Sequence, residues 1–312
     1  MQSPWQACLD PQKRCPLRRR CAVFLIFVIC GGRTFSHATG RSGSVAENGW
    51  RIHSGRKIPW NLFSPKVPFL ATLVPNHQAA PHNGTHITLS HHGKVPFLEG
   101  QSIGVMEGGG LRLYPISSSR MGDDQRSKTL SLYVESQGAG FSNLKVGDKL
   151  NITGPLGTEM LLPSDLQDAN LIFVATEHGV APFRGQLRWL FHDSVGKGEF
   201  KGLAWLFVGG ILLPYDEEFR ALERSVRPEH FRYLGIRAQS DEAMTAVQRQ
   251  MKDHSDELWK LLQSQNSHLY ISGKGLEEAT SEFFQEVASA QQQNWIQLRR
   301  MMRQQGRYHC GW

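Results

Sequence analysis

The strongest constraint in this chain is a change of rhythm near residue 165. Beyond it, near-continuous apolar runs recur at 171–175, 203–208, 231–236 and 268–272. Runs this short and this uniformly apolar are what strands buried on both faces of a parallel sheet require. Between them lie segments with helical spacing at 182–191, 216–226, 243–262 and 277–290, the first with a proline near its start. Strands alternating with helices predict βαβ units and a doubly wound parallel sheet, with ligands at the carboxyl ends of the strands. Before residue 165 the pattern differs. Short apolar stretches at 86–90, 101–106, 129–134 and 149–153 are broken by Gly108-Gly109-Gly110, Gly147-Asp148 and Gly154-Pro155. That spacing predicts an antiparallel β-barrel. The expected organisation is a leader over 1–57, a β-barrel domain over 58–165 and an α/β domain over 166–312.

Charge supports a separate leader. Of 35 Lys and Arg residues ten precede residue 58, against two of the 28 Asp and Glu. The body is therefore close to neutral, which gives no electrostatic case for binding nucleic acid. Four of the five cysteines (Cys8, Cys15, Cys21 and Cys30) also fall in the leader. Cys310 alone remains in the body, so an intramolecular disulfide or a cysteine-rich metal site is excluded there. The run C-A-V-F-L-I-F-V-I-C at 21–30 follows a basic cluster and is about half the ~20 residues of a membrane-spanning helix. It reads as a signal peptide, followed at 33–57 by the Ser-, Gly- and Arg-rich composition of a transit segment. The expected address is a plastid, chloroplast or apicoplast, with no stable membrane span in the mature protein. An uncleaved signal anchor is the other reading.

In the β half stands Arg112-Leu113-Tyr114-Pro115-Ile116-Ser117-Ser118-Ser119. An Arg and an aromatic two residues apart share one face of a strand. The guanidinium can hold a phosphate bidentately while the ring lies against a planar group. This motif resembles R-L-Y-S-I-A-S-S, the flavin signature of plant-type ferredoxin–NADP reductases. The resemblance continues in order through Asn61-Leu62-Phe63-Ser64-Pro65-Lys66, V-P-F-L-E-G-Q-S-I-G-V at 95–105, I-T-G-P-L-G-T-E-M-L at 152–161, Gly179-Val180-Ala181-Pro182-Phe183-Arg184 and G-L-A-W-L-F at 202–207. It covers about residues 61–312.

The resemblance implies FAD in the barrel, NADP(H) on the α/β domain, and electrons exchanged with ferredoxin, a [2Fe–2S] protein. By position, Arg112 would grip the FAD pyrophosphate, with Leu113 beside it, and Tyr114 would pack on the flavin. Tyr133 and Val134 would meet the adenosine part. Gly140, Phe141 and Ser142 would form a phosphate loop. Thr176, His178 and Gly179 would make the first nucleotide turn, Arg237 and Ala238 the 2′-phosphate site, and Gly273 and Lys274 the turn after the catalytic position. Ser272 and Trp312 are the catalytic candidates. Lys66, Lys94, Lys145 and Arg184 are candidates for a basic ferredoxin face.

Departures from the family pattern cluster at the chemistry. Pro115 replaces a serine and cannot donate a hydrogen bond. Ser272 replaces a cysteine and Trp312 a tyrosine. Glu177 and His178 interrupt a glycine-rich turn that should admit phosphate. The alternative function is therefore a degenerate FAD-binding paralogue with weak or no turnover, acting as an interaction protein.

Overall fold

The computed structural model describes residues 45–46, 49–75, 84–135, 141, 144–193, 196–239 and 242–311. Strands β1 (Val45–Ala46), β2 (Trp50–His53) and β3 (Arg56–Pro59) form a small antiparallel sheet. The expected leader boundary at residue 57 falls inside the β2–β3 hairpin. Ile58 is fully buried, Trp60 N–H donates to Gly49 O at 2.8 Å, and an Arg56 guanidinium nitrogen donates to Leu162 O. Residues 50–57 thus belong to the folded unit, because burial of Ile58 and these bonds outweigh what their Arg- and Gly-rich composition suggests.

Six further strands make one antiparallel sheet. They are β4 (Phe69–Val74), β5 (Gly84–Ser90), β6 (Ser102–Glu107), β7 (Gly110–Pro115), β8 (Thr129–Glu135) and β9 (Lys149–Leu156). Their order is β7-β6-β9-β4-β5-β8, and a bridge between Ile116 and Leu132 draws the two edges together into a half-barrel. Alternation along the strands sends Ala71, Leu73, Ile87, Leu89, Ile103, Val105, Leu150 and Ile152 into one core.

The remainder is α/β: β10 (Asn170–Thr176), α1 (Ala181–Phe191), α2 (Gly196–Glu199), β11 (Leu203–Gly210), α3 (Asp216–Ser225), β12 (Phe231–Arg237), α4 (Ala243–Lys252), α5 (Ser255–Gln263), β13 (Ser267–Ser272), α6 (Leu276–Ala290), α7 (Trp295–Gln304) and β14 (Tyr308–Gly311). All five strands are parallel, in the order β12-β11-β10-β13-β14. Every residue of β11 is buried, which is why its text is uniformly apolar. Phe173 and Leu206 face one core while Val174 and Phe207 face the other. Burying each such side chain contributes about 1.5–3 kcal/mol.

The single helix predicted over 243–262 is two helices. No glycine or proline interrupts it. The break lies at Asp253-His254, where His254 packs edge-on against Trp205 with ring centroids 5.0 Å apart. Packing on the sheet overrides helix propensity at this point.

Candidate functional site

The strand order reverses between β10 and β13, so their carboxyl ends flank the crevice where doubly wound sheets bind ligands. Two turns meet there, Thr176 to Gly179 and Ser272 to Gly275. They interlock through glycine: a Cβ at Gly179 would lie 1.9 Å from Ser272 O, and one at Gly273 (φ +144°) would lie 2.4 Å from Thr176 Oγ1. Ser272 is fully buried, and its hydroxyl has no hydrogen-bond partner within the protein. Such an atom is rare and calls for a ligand or water. Lys274 is exposed beside it.

Helix α1 leaves the first turn with a proline in its opening turn, no side-chain cap and no acidic residue in its first turn. Its N-terminal N–H groups suit an anion. Arg237 ends β12, exposed, in register with Gly210, and Ala238 N–H donates to Gly210 O at 2.9 Å. Glu177 turns back over the end of β11. Its carboxylate accepts the Leu212 N–H at 2.7 Å and lies 3.2 Å from the His178 ring, which is exposed.

The Arg112 motif occupies β7, an edge strand exposed from Gly110 to Leu113. Arg112 and Tyr114 share one face. Tyr114 packs edge-on against Phe141 at 5.5 Å and donates its hydroxyl to Glu107 at 3.2 Å. Burial raises the pKa of both Tyr114 and Glu107. Beyond Pro115, Ser118 Oγ accepts the Ser131 N–H, whereas Ser119 Oγ is buried without a partner. An edge strand that exposes a guanidinium two residues from a half-buried ring, followed by the orphaned Ser119 hydroxyl, fits a flavin dinucleotide.

This motif reaches the crevice through α1. A Cβ at Gly185 would lie 2.5 Å from Ser118 O, so the helix rests directly on the serine run. Arg184 seals the contact. It is fully buried, donates to Ser117 O (3.0 Å), Asp123 (3.1 Å) and Glu218 (2.8 Å), and lies over the Tyr215 ring at 4.8 Å. Arg188 reaches Glu218 at 3.0 Å, and His86 bridges Asp123 (3.0 Å) and Tyr215 (2.9 Å). Burial pushes the Asp123 carboxyl up, but the His86 bond and the Arg184 charge hold it well below its usual range. Glu218 is likewise lowered against burial by Arg184 and Arg188.

Several expected roles change. Arg184 cannot face ferredoxin, because a fully buried guanidinium presents nothing to a partner; Lys66, Lys94 and Lys145 are exposed. The Tyr133 and Val134 side chains are buried in cores, which their expected contact with an adenosine does not match. Gly140, Ser142 and Trp312 lie outside the described residues. Sequence reasoning missed His86, Asp123, Tyr215 and Glu218, for which no local motif exists. Among the described residues no cluster of His, Cys, Asp and Glu could hold a metal ion, and no helix is long and apolar enough to cross a membrane.

An antiparallel half-barrel with an Arg-x-Tyr edge strand, joined by a buried ionic network to a parallel sheet with a glycine-lined crevice, defines the two-domain flavin and dinucleotide class of reductases. No family model matches the chain. It is 35% identical over 286 residues to the cyanelle ferredoxin–NADP reductase of Cyanophora paradoxa, covering 81% of this chain and 78% of that protein. It is 36% identical over 298 residues to the chloroplastic root isozyme 1 of Arabidopsis thaliana, covering 83% and 78%. The solved ferredoxin–NADP+ reductase of Plasmodium falciparum shares the fold at a TM-score of 0.67 and 22% identity, covering 81% of this chain and 98% of that one. The chain belongs to the ferredoxin–NADP reductase family.

Proposed function

We propose that this chain is an FAD-dependent oxidoreductase that moves electrons between NADPH and a [2Fe–2S] ferredoxin. The observation that carries this reading is the crevice at the strand reversal, where an unpartnered Ser272 hydroxyl sits between interlocked glycine turns and α1 links it to the Arg112 motif. FAD held by this chain would supply hydride acceptance and one-electron release. The chain's part is placement. Arg112 would clamp the FAD pyrophosphate, Tyr114 and Phe141 would wall the ring, and Ser119 would supply a hydroxyl. The α1 N-terminus, Gly179, Arg237, Gly273 and Lys274 would hold the nucleotide, with Ser272 offered to the nicotinamide and Trp312 to the flavin. Exposed Lys66, Lys94 and Lys145 would attract an acidic ferredoxin.

Chloroplastic relatives support a plastid location. We place the end of the leader before the β2–β3 hairpin, with the flavin domain running from that hairpin to about residue 165 and the nucleotide domain from 166. The second reading, a paralogue with little turnover, is favoured by Pro115, which has no donor, and by the Glu177 carboxylate at the phosphate crevice. Anaerobic NADPH titration of the FAD-loaded protein separates them. Bleaching of the flavin band near one equivalent supports the reductase. A yellow protein that stays oxidised supports the paralogue.

A further inference from the structure

We propose that Glu177 is an internal competitor for the phosphates of the dinucleotide, a residue that sets how weakly this chain holds NADP(H). This rests on the reading of the α/β half as the nucleotide domain.

The crevice has few anion positions. The first turn of α3 carries Asp216, Glu217 and Glu218, of which Glu218 is held by Arg184 and Arg188 and Asp216 by Arg220, so that helix N-terminus already has its anions. Besides the exposed Arg237 and Lys274 side chains, the anion positions at this end of the sheet are the α1 N-terminus and the backbone donors of the loop after β11. One of those donors, the Leu212 N–H, already has an anion on it: Glu177 Oε2, at 2.7 Å. The carboxylate does not reach it by chance exposure. Glu177 is buried, its own N–H donates to Gly209 O at 2.9 Å, and a Cβ at Gly210 would lie 2.6 Å from Oε2. The side chain is therefore laid flat across the carboxyl end of β11, on the backbone of a glycine that leaves room for it. Glu177 is two residues before Gly179 and joins the same turn to the β11–α3 loop.

A pyrophosphate entering between the α1 N-terminus and that loop meets a fixed negative charge and a donor already taken. The exposed His178 ring lies 3.2 Å from Oε1 in the same turn. Two unit charges about 4 Å apart in a water-like medium repel by about 1 kcal/mol. At 1.4 kcal/mol per decade, that corresponds to about a fivefold change in Kd. Adenosine 2′-monophosphate, which has the adenine and the 2′-phosphate without the pyrophosphate, would not meet this carboxylate.

The test compares two ligands on the FAD-loaded protein and its Glu177→Gln variant, by calorimetry or flavin difference spectra. Glutamine keeps an oxygen for the Leu212 N–H and removes only the charge, so the fold should be retained. The expected result is NADP+ binding at least about fivefold tighter with adenosine 2′-monophosphate unchanged. NADP+ affinity that is unchanged or weaker overturns the proposal, as does equal tightening of both ligands, which would mean a general rather than a phosphate-specific effect. Glu177→Ala, which removes acceptor and charge together, should shift NADP+ in the same direction; weakening there together with no gain for glutamine would make Glu177 a structural support. If wild type and both variants bind neither ligand, the nucleotide-domain reading itself fails.

Discussion

Arg184 offers the sharpest test of how the two halves are joined. Arg184→Met removes a fully buried guanidinium while keeping most of the side-chain volume. It strips Asp123 and Glu218 of a partner at 3.1 and 2.8 Å, and leaves Ser117 O without its 3.0 Å donor. Removing one member of a buried ion pair costs about 3–5 kcal/mol. The lower end applies here, because Glu218 retains Arg188 at 3.0 Å and Asp123 retains His86 at 3.0 Å. At roughly 2–4 °C per kcal/mol for a chain of this size, the unfolding midpoint should fall by roughly 6–12 °C. A calorimetric double-mutant cycle with Glu218→Gln should show a coupling of at least about 0.5 kcal/mol. A midpoint within about 2 °C of wild type, or strictly additive effects, would refute the network as the fastener between barrel and sheet.

The same chemistry sets the response to acid. Burial, then the charge of Arg307, pushes the His268 imidazole down to about 4 from 6.5. The unfolded chain therefore takes up that proton first, and stability should fall as pH drops from 6.5 towards 4. The lowered Asp123 and Glu218 carboxyls add a second loss below about pH 4.5, since their contribution is present only above their unfolded pKa values. Calorimetric midpoints from pH 8 to 4 should show both, with the upper slope reduced in His268→Gln; an unaltered slope would remove His268 from the account. Gly179→Ala puts a Cβ 1.9 Å from Ser272 O, so the two turns must part. The expected cost is about 1–3 kcal/mol of stability together with a clear loss of NADP+ affinity, and a wild-type Kd for NADP+ would count against the interlock. Pro115→Ser with Ser272→Cys should speed flavin reduction by NADPH about tenfold, or ~1.4 kcal/mol of barrier, in stopped flow; no gain would favour the paralogue.

Much of the architecture was legible because strands such as β11, buried throughout, leave an uninterrupted apolar text. The half-barrel could be read from its turns, and the Arg112 motif from one strand face. What was not legible depends on partners distant in sequence. Nothing near His86 foretells Tyr215, 129 positions away, or the convergence of Asp123, Arg184 and Glu218. Arg184 read as a surface cation because burial of an arginine is decided by what closes over it. Helix α7 was missed because it buries only Trp295 and Met302 among three arginines. The β2–β3 hairpin was hidden by a composition that resembles a leader. Glu177 was legible as a misplaced charge, but not the direction in which its carboxylate turns.

The pairing of β13 with β14 has a practical consequence. Four residues at the very end of the chain, matched Leu269 to Tyr308 through Ser272 to Gly311, complete the sheet. That short strand acts as a ruler: the length of the turn before Tyr308 decides which residue arrives beside Ser272. Deleting one residue from this turn would slip the ruler by one notch and exchange the faces of Tyr308, His309 and Cys310. Protein engineering should therefore leave β14 and the turn before it intact, and treat any change in the length of that turn as a change to the crevice beside Ser272.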